Sequence, residues 1–596
     1  MSGDPRLHQQ SISHVSGQQG SRVYVGTFSN CHLGNNDASQ KASEKAAVAC
    51  RNALFLTDPH VDRESVISAK GKRVAGTCEW ITQDAKYSAW LNSNDNHDTR
   101  LLWILGGPGK GKTMMSIFLT EELEKHIARV DNAGLAFFFC SAQDEKRNTA
   151  IAVLRGLVYQ IIAKRPQLVR HVLPYFETPE RTQQTLGSLE TLWIIFSELI
   201  ADVELGTMFC VLDGLDECED STLRGLLPRL VGLLAGGTPS LTSGVFKLAI
   251  VSRDLLGLQD CPRVRLDPDN DEKVVRDIKL FVSARVTGLS RIQGFNEDFR
   301  TLVQTTLLQR AEGTFLWVGF AMHELSQKQT CSEILEALED LPPSLPAIYS
   351  RMLLRISARQ RERSQAILRW VTMAARPLQL RELAAAVGIQ AMPPITIEQV
   401  ARDAVALCGP LLRVQENEVS LIHQSVRDYL LRKEEDSDAI LEAYRIRPQN
   451  MHLEILQLSL SCIAQSGFQQ RVVDFKSISS SQESPLLQYA AVYWPEHARG
   501  CAILNTSFLC SLKHFLGTKH DVRRHWWAAY RSNNDIWLPK VLPLLHMLCY
   551  LGFEPLVQAE VGWDSWRPRF LKRIDMRDSK RNTALKIAVS EGNKAV

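Results

Sequence analysis

R-L-L-W-I-L-G-G-P-G-K-G-K-T, residues 100–113, decides how this chain is read. Leu101–Leu105 is an unbroken apolar run that stops at glycine, as a buried strand entering a loop does. The eight residues Gly106, Gly107, Pro108, Gly109, Lys110, Gly111, Lys112 and Thr113 satisfy G-x-x-x-x-G-K-[ST]. Glycines let backbone N–H groups curl around an anion without Cβ clashes. The start of a helix adds the positive end of its dipole. Helical spacing follows at once in T-M-M-S-I-F-L-T-E-E-L-E-K-H, 113–126. Strand, loop and helix in this order give the motif its context. Lys112 is expected to reach the β- and γ-phosphates, Thr113 to give a hydroxyl to Mg²⁺, and Met114 to sit beside them. The expected ligand is a nucleoside triphosphate, ATP or GTP.

The second half of such a site is an acidic residue closing another buried strand. M-F-C-V-L-D-G-L-D-E supplies it at 208–217. Asp213 ends the apolar run and is expected to hold Mg²⁺ through water. Asp216 and Glu217 lie just beyond, where either can polarise an attacking water; the alternative is a solvated acidic loop, because Glu219 and Asp220 continue the charge. A further run, F-K-L-A-I-V-S at 246–252, ends at Arg253. A guanidinium fixed at a strand end can sense a γ-phosphate and stabilise transition-state charge. The competing reading is a surface Arg253 paired with Asp254.

Outward from these runs, L-A-F-F-F-C at 135–140 reads as another buried strand and 148–163 as a helix. Strands alternating with helices predict an α/β fold, a parallel sheet with helices on both faces. Beyond about residue 270 amphipathic helical patterns take over, as in S-E-I-L-E-A-L-E-D-L at 332–341, which stops at Pro342 and Pro343. From about 440 to 545 the chain stays helical, with Trp494, Trp526 and Trp527 expected as packing anchors.

The 596 residues are too many for one core. Hydrophobic residues at 45% and charged residues at 23% suit a globular protein. The net charge of +3 gives no general reason to expect nucleic-acid binding, and R-V-R at 263–265 and V-R-R-H at 522–525 read as solvated charge. The 13 cysteines form no C-x-x-C pair and no zinc-spaced cluster, which predicts reduced thiols. No apolar run approaches the ~20 residues of a transmembrane helix, and the first residues lack a signal-peptide core. The expected address is the cytoplasm. Residues 1–50 read as a flexible polar lead-in. Within it, S-R-V-Y-V-G-T-F-S-N-C-H-L-G-N-N at 21–36 mixes β-formers with Gly and Asn, a composition able to stack as cross-β.

These residues resemble the NACHT family of signal-transduction NTPases, in particular its fungal branch of NOD-like-receptor and incompatibility proteins. The resemblance rests on L-L-W-I-L-G-G-P-G-K-G-K-T-M at 101–114, F-F-F-C-S-A at 137–142, D-G-L-D-E at 213–217, V-S-R at 251–253 and E-G-T-F-L-W-V at 312–318, and covers roughly residues 55–435. It implies a nucleotide-dependent switch that hydrolyses slowly and oligomerises when activated. It also implies a winged helix near 346–431, where C-G-P-L-L-R-V-Q-E-N-E-V-S-L-I-H-Q-S-V-R-D-Y-L at 408–430 reads as a hairpin and a helix. His423 then falls where relatives place a histidine on the diphosphate. G-T-C-E-W-I at 76–81 matches a segment that packs near the adenine. At the C-terminus, 578–593 resembles a degenerate ankyrin repeat start, preceded by a helix pair at 543–557.

The expected organisation is therefore a lead-in (1–50), a helical linker (51–99), the P-loop core (100–270), a helical segment (271–345), a winged helix (346–435), a helical region (436–540) and ankyrin-like repeats (541–596). Two other functions fit a P-loop. A small-molecule kinase needs a lid and an acceptor pocket, for which no compact residue set is visible. A nucleotide-gated DNA-binding regulator needs a basic recognition face, which R-K-E-E-D at 432–436 does not offer. The protein effector of a switch is not legible here.

Overall fold

Four apolar runs and a short fifth one make a single parallel sheet. In the computed structural model the described residues are 35–92, 100–235, 245–266, 272–311, 314–466, 485–501, 515, 521–533, 536, 538–561 and 575–590. Strands β1 (Leu101–Leu105), β2 (Ala133–Phe139), β3 (Thr207–Asp213), β4 (Val245–Ser252) and β5 (Arg263–Arg265) lie in the order β2-β3-β4-β1-β5. Their interior side chains are buried almost throughout, as expected of a sheet covered on both faces. R-V-R at 263–265 is thus not simply solvated charge: Val264 is buried and the three residues pair with Trp103, Ile104 and Leu105 as an edge strand. Its arginines hid the strand because an edge strand shows one buried position only.

The register positions the site. Leu105 pairs with Ser252, Phe139 with Asp213, and Asp213 with Val251, so the carboxyl ends of β1 to β4 share one rim. The chain order reverses between β1 and β4, and ligands of open α/β sheets bind at such a reversal beyond the strand ends. On one face pack the helix Lys112–Ile127 and the segment around Cys78, Tyr87 and Trp90. On the other lie Ala150–Lys164, Leu189–Ala201 and Asp220–Ala235. Each fully buried Leu, Ile or Phe of these faces contributes about 1.5–3 kcal/mol.

Helix ends follow local chemistry. Thr149, Ser188, Thr330 and Ser344 sit in extended conformation and accept the N–H three residues on, which satisfies an otherwise orphaned donor. Part of the polar 1–50 stretch is helical. A helix runs Asn35–Leu54, rich in alanine, and buries Cys50 and Leu54 against Ala150–Lys164 and its neighbours. Most of the 21–36 stretch lies outside the described residues.

Beyond the sheet, helices from Glu272 to Met373 build a second core that continues into a small antiparallel sheet. Its strands are β6 (Leu378–Gln379), β7 (Leu412–Gln415) and β8 (Glu418–Leu421), ordered β6-β8-β7. Glu416 and Asn417 join β7 to β8 in two residues, both with positive φ, 50° and 70°. That is the turn geometry whose twist suits a tight hairpin. The helix Gln424–Leu430 follows directly, completing the hairpin-then-helix pattern. A further core gathers Trp494, Trp526 and Trp527, each at most 1% exposed, with Leu545, Leu548 and Ile587. Helices Leu544–Leu551 and Glu554–Val561 form the pair expected near 543–557. No helix among the described residues is long and apolar enough to cross a membrane.

Candidate functional site

The loop after β1 closes on itself. Gly109 and Gly111 have φ of 71° and 86°, a region in which a side chain is strained. A Cβ on Gly109 would also stand 2.6 Å from the Thr314 Cγ2. Thr314 is the N-cap of the helix Phe315–Ser326, so Thr314, Phe315 and Leu316 pack directly on the loop. Gly111 caps the helix Lys112–Ile127, and Lys112 Nζ donates to the carbonyls of Gly106 (2.9 Å) and Gly107 (3.0 Å). Burial lowers the Lys112 pKa, while Asp216 acts in the opposite direction.

Below the helix start, Asp213 is 5% exposed and accepts from Ser116 Oγ at 2.6 Å. Burial raises its pKa; Lys70 and hydrogen bonds from Ser116 and Thr113 oppose the rise. Hydroxyl and carboxylate oxygens converging here are the hard donors a magnesium ion takes, so Thr113 and Asp213 fit that ion. Among the described residues no group of three or more His, Cys, Asp or Glu forms a self-sufficient metal cage. A P-loop site needs none, because phosphates and water complete the shell.

The acidic loop divides in two. Glu219 and Asp220 are exposed, whereas Asp216 and Glu217 line the cavity beside Lys112. Glu217 accepts from the Ala142 N–H at 3.2 Å, and burial pushes its carboxyl up to about 7. Such a group can hold or accept a proton near neutral pH.

Arg253 does not pair with Asp254. Its backbone N–H and Nε reach Asp216 at 3.1 and 3.2 Å, and its Nη1 donates to Asp428 Oδ2 at 2.7 Å. Asp428 lies on the helix Gln424–Leu430, so one guanidinium ties the sheet rim to the element after the β7–β8 hairpin. His423 is the N-cap of that helix; its Nδ1 accepts the Ser425 N–H at 3.1 Å. Burial, and then the charges of Lys70, Lys112 and Arg253, push its pKa down to about 3, so the ring is neutral.

One cavity of about 280 Å³ brings together Gly109, Lys110, Gly111, Lys112, Thr113, Met114, Asp216, Glu217, Arg253 and His423. Asp213 faces an adjoining cavity of about 640 Å³ that shares Lys70, Thr113, Glu217 and His423. Pro108 stands apart, in a groove with Thr314 and Tyr349. The far wall is apolar and comes from outside the loop: Cys78, Trp80, Val274 and Phe281. Asp277 accepts from the Cys78 N–H (2.8 Å) and Trp80 Nε1 (3.0 Å), which fixes this wall. G-T-C-E-W-I therefore does border the cavity. Lys70, Arg73 and Asp277 were not anticipated. They belong to no phosphate motif, and only the K-G-K at 70–72 between two helical stretches hints at a cation here.

Comparison with known families gives two matches. Residues 76–253 match the family described as nephrocystin 3, N-terminal, and residues 349–442 match the winged-helix domain of GPI inositol-deacylase. The vegetative incompatibility protein HET-E-1 of Podospora anserina is 28% identical over 529 residues, 83% of this chain and 37% of that protein. The azaphilone pigments biosynthesis cluster protein L of Monascus ruber is 28% identical over 173 residues, 27% of this chain and 36% of that one. This chain thus spans little more than a third of either relative. Among solved structures, a Pyrococcus horikoshii STAND protein with a tetratricopeptide sensor aligns at 12% identity and TM-score 0.32, over 83% of this chain and 72% of that one.

Proposed function

This chain carries a NACHT-like P-loop NTPase domain joined to a winged helix, and from that premise we propose that it is a nucleotide-dependent signalling switch. The observation that carries the reading is the composite cavity. Its walls come from the P-loop, the acidic loop, the 73–80 segment, the helix at Phe315 and the winged helix at His423. A ligand filling it touches every part at once, so its identity sets how the parts sit together.

In this reading a nucleoside diphosphate, ATP- or GTP-derived, lies along the loop amides with Lys112 on its phosphates. The neutral His423 ring and the Arg253–Asp428 pair hold the winged helix closed over it. Trp80 and Phe281 cover the base. Magnesium, held by Thr113 and Asp213, would neutralise phosphate charge. Exchange for triphosphate brings a γ-phosphate beside Arg253. The guanidinium that serves Asp428 is then drawn to phosphate, and the winged helix is released. Glu217, with Asp216 beside it, orients a water and takes its proton, giving slow hydrolysis that resets the switch. Released chains assemble into homo-oligomers, with the C-terminal helices and their ankyrin-like end sensing the trigger and the N-terminal segment passing the signal to a protein effector. A cytoplasmic setting suits this role.

The test is particle size. The full chain with a non-hydrolysable triphosphate and Mg²⁺ is expected to elute as a larger species than with diphosphate. Identical light-scattering masses in both states would overturn the switch.

A further inference from the structure

Lys70 is the last residue of the helix Pro59–Lys70, and its Nζ donates to Thr113 Oγ1 at 2.9 Å. A hydroxyl oxygen that accepts from an ammonium turns toward that cation one of the two lone pairs with which it could meet a metal. The Thr113 hydroxyl also shares a hydrogen bond with Asp213, so the same oxygen lies between a carboxylate and a cation. The positive charge of Lys70 favours the ionised forms of both Asp213 and Glu217. A side chain from outside the phosphate loop thus supplies positive charge at the metal-ligating hydroxyl.

We propose that Lys70 is a tethered competitor of the divalent cation at Thr113, so that metal entry is coupled to release of the segment leading into the cavity. The proposal rests on the nucleotide-site reading above. An ammonium and a dication on one oxygen oppose each other, because like charges about 4 Å apart repel even when screened. The ammonium is on the exposed side and can leave. Its helix cannot follow as a whole. Arg63 fixes the helix to Lys112–Ile127 through Thr120 (3.2 Å) and Glu124 (2.8 Å). Movement therefore falls on the last turn and on Gly71, whose φ of 88° ends the helix. That point leads into Arg73, Thr77, Cys78 and Trp80, which line the cavity. Lys70 is a positioning residue: it lets diphosphate bind without metal and makes metal arrival felt by the base-side wall.

The experiment measures Mn²⁺ affinity of the diphosphate-loaded full chain by electron paramagnetic resonance, for the unaltered protein, Lys70→Met and Lys70→Arg. Lys70→Met is expected to bind Mn²⁺ about tenfold more tightly at low salt, with the gap narrowing as salt rises. It is also expected to lose diphosphate faster in chelator. Lys70→Arg keeps the charge and should stay close to the unaltered protein. Equal Mn²⁺ affinity in Lys70→Met and the unaltered chain, with diphosphate bound to both, overturns the proposal alone. Failure of the unaltered chain to hold any nucleotide overturns the nucleotide-site reading and this proposal with it.

Discussion

Breaking the Arg253–Asp428 pair gives the sharpest view of the clamp. The two groups meet at 2.7 Å, with side chains 27% and 42% exposed. Asp428 is more than a third exposed, so solvent screens much of the Coulomb gain, and the pair contributes about 0.5–1 kcal/mol. That corresponds to a roughly two- to fivefold change in the closed-to-open ratio. Asp428→Ala should accelerate release of a fluorescent diphosphate by that factor. Arg253→Ala should do more, because Asp216, only 11% exposed, also loses its guanidinium partner. In the double variant, Asp428→Ala should add nothing to Arg253→Ala. A stopped-flow chase of bound fluorescent diphosphate on all four proteins closes the cycle. If Asp428→Ala speeds release equally with and without Arg253, the two side chains do not act together and the clamp argument fails.

Two further expectations concern protons. Glu217→Gln should retain triphosphate while slowing its hydrolysis about a hundredfold, read by single-turnover phosphate release; an unchanged rate would remove Glu217 from the chemistry. His423 is depressed to about 3 from 6.5, so its contribution to stability is complete above pH 6.5 and is lost as pH falls toward 3. Glu217 and Glu496, both raised to about 7 from 4.5, work the other way, their contribution fading as pH rises through 7. His423→Asn keeps a capping side chain and isolates the histidine. The unaltered protein's melting temperature should therefore drop more between pH 7 and 5 than that of His423→Asn, and parallel curves would contradict the assignment.

The loop after β1 and the place of Asp213 at the end of β3 were readable in the sequence because both sit at the ends of unbroken apolar runs, and a parallel strand announces itself that way. The β7–β8 hairpin was readable for a similar reason, with Glu416 and Asn417 between short apolar stretches. β5 was not, since a three-residue edge strand with arginines at both ends has no period to detect. The partners of Arg253 were equally hidden. Asp254 is adjacent in sequence, but Asp428 is 175 positions away, and only packing brings it to 2.7 Å. Lys70 and the Asp277-braced wall follow the same rule: they come from helices whose pattern reports burial, not which cavity their ends reach. The helix at Asn35–Leu54 was masked by polar composition, although its alanines favour helix and its last turn buries Cys50 and Leu54.

The account stands on polyphosphate held by the loop after β1. The most direct measurement is the nucleotide content of the purified chain, extracted by acid and resolved by ion-exchange chromatography, for the unaltered protein and Lys112→Ala. Near-stoichiometric nucleotide in the former and none in a folded Lys112→Ala are predicted. A nucleotide-free unaltered protein that also fails to take up added nucleotide, or equal content in both proteins, would contradict it.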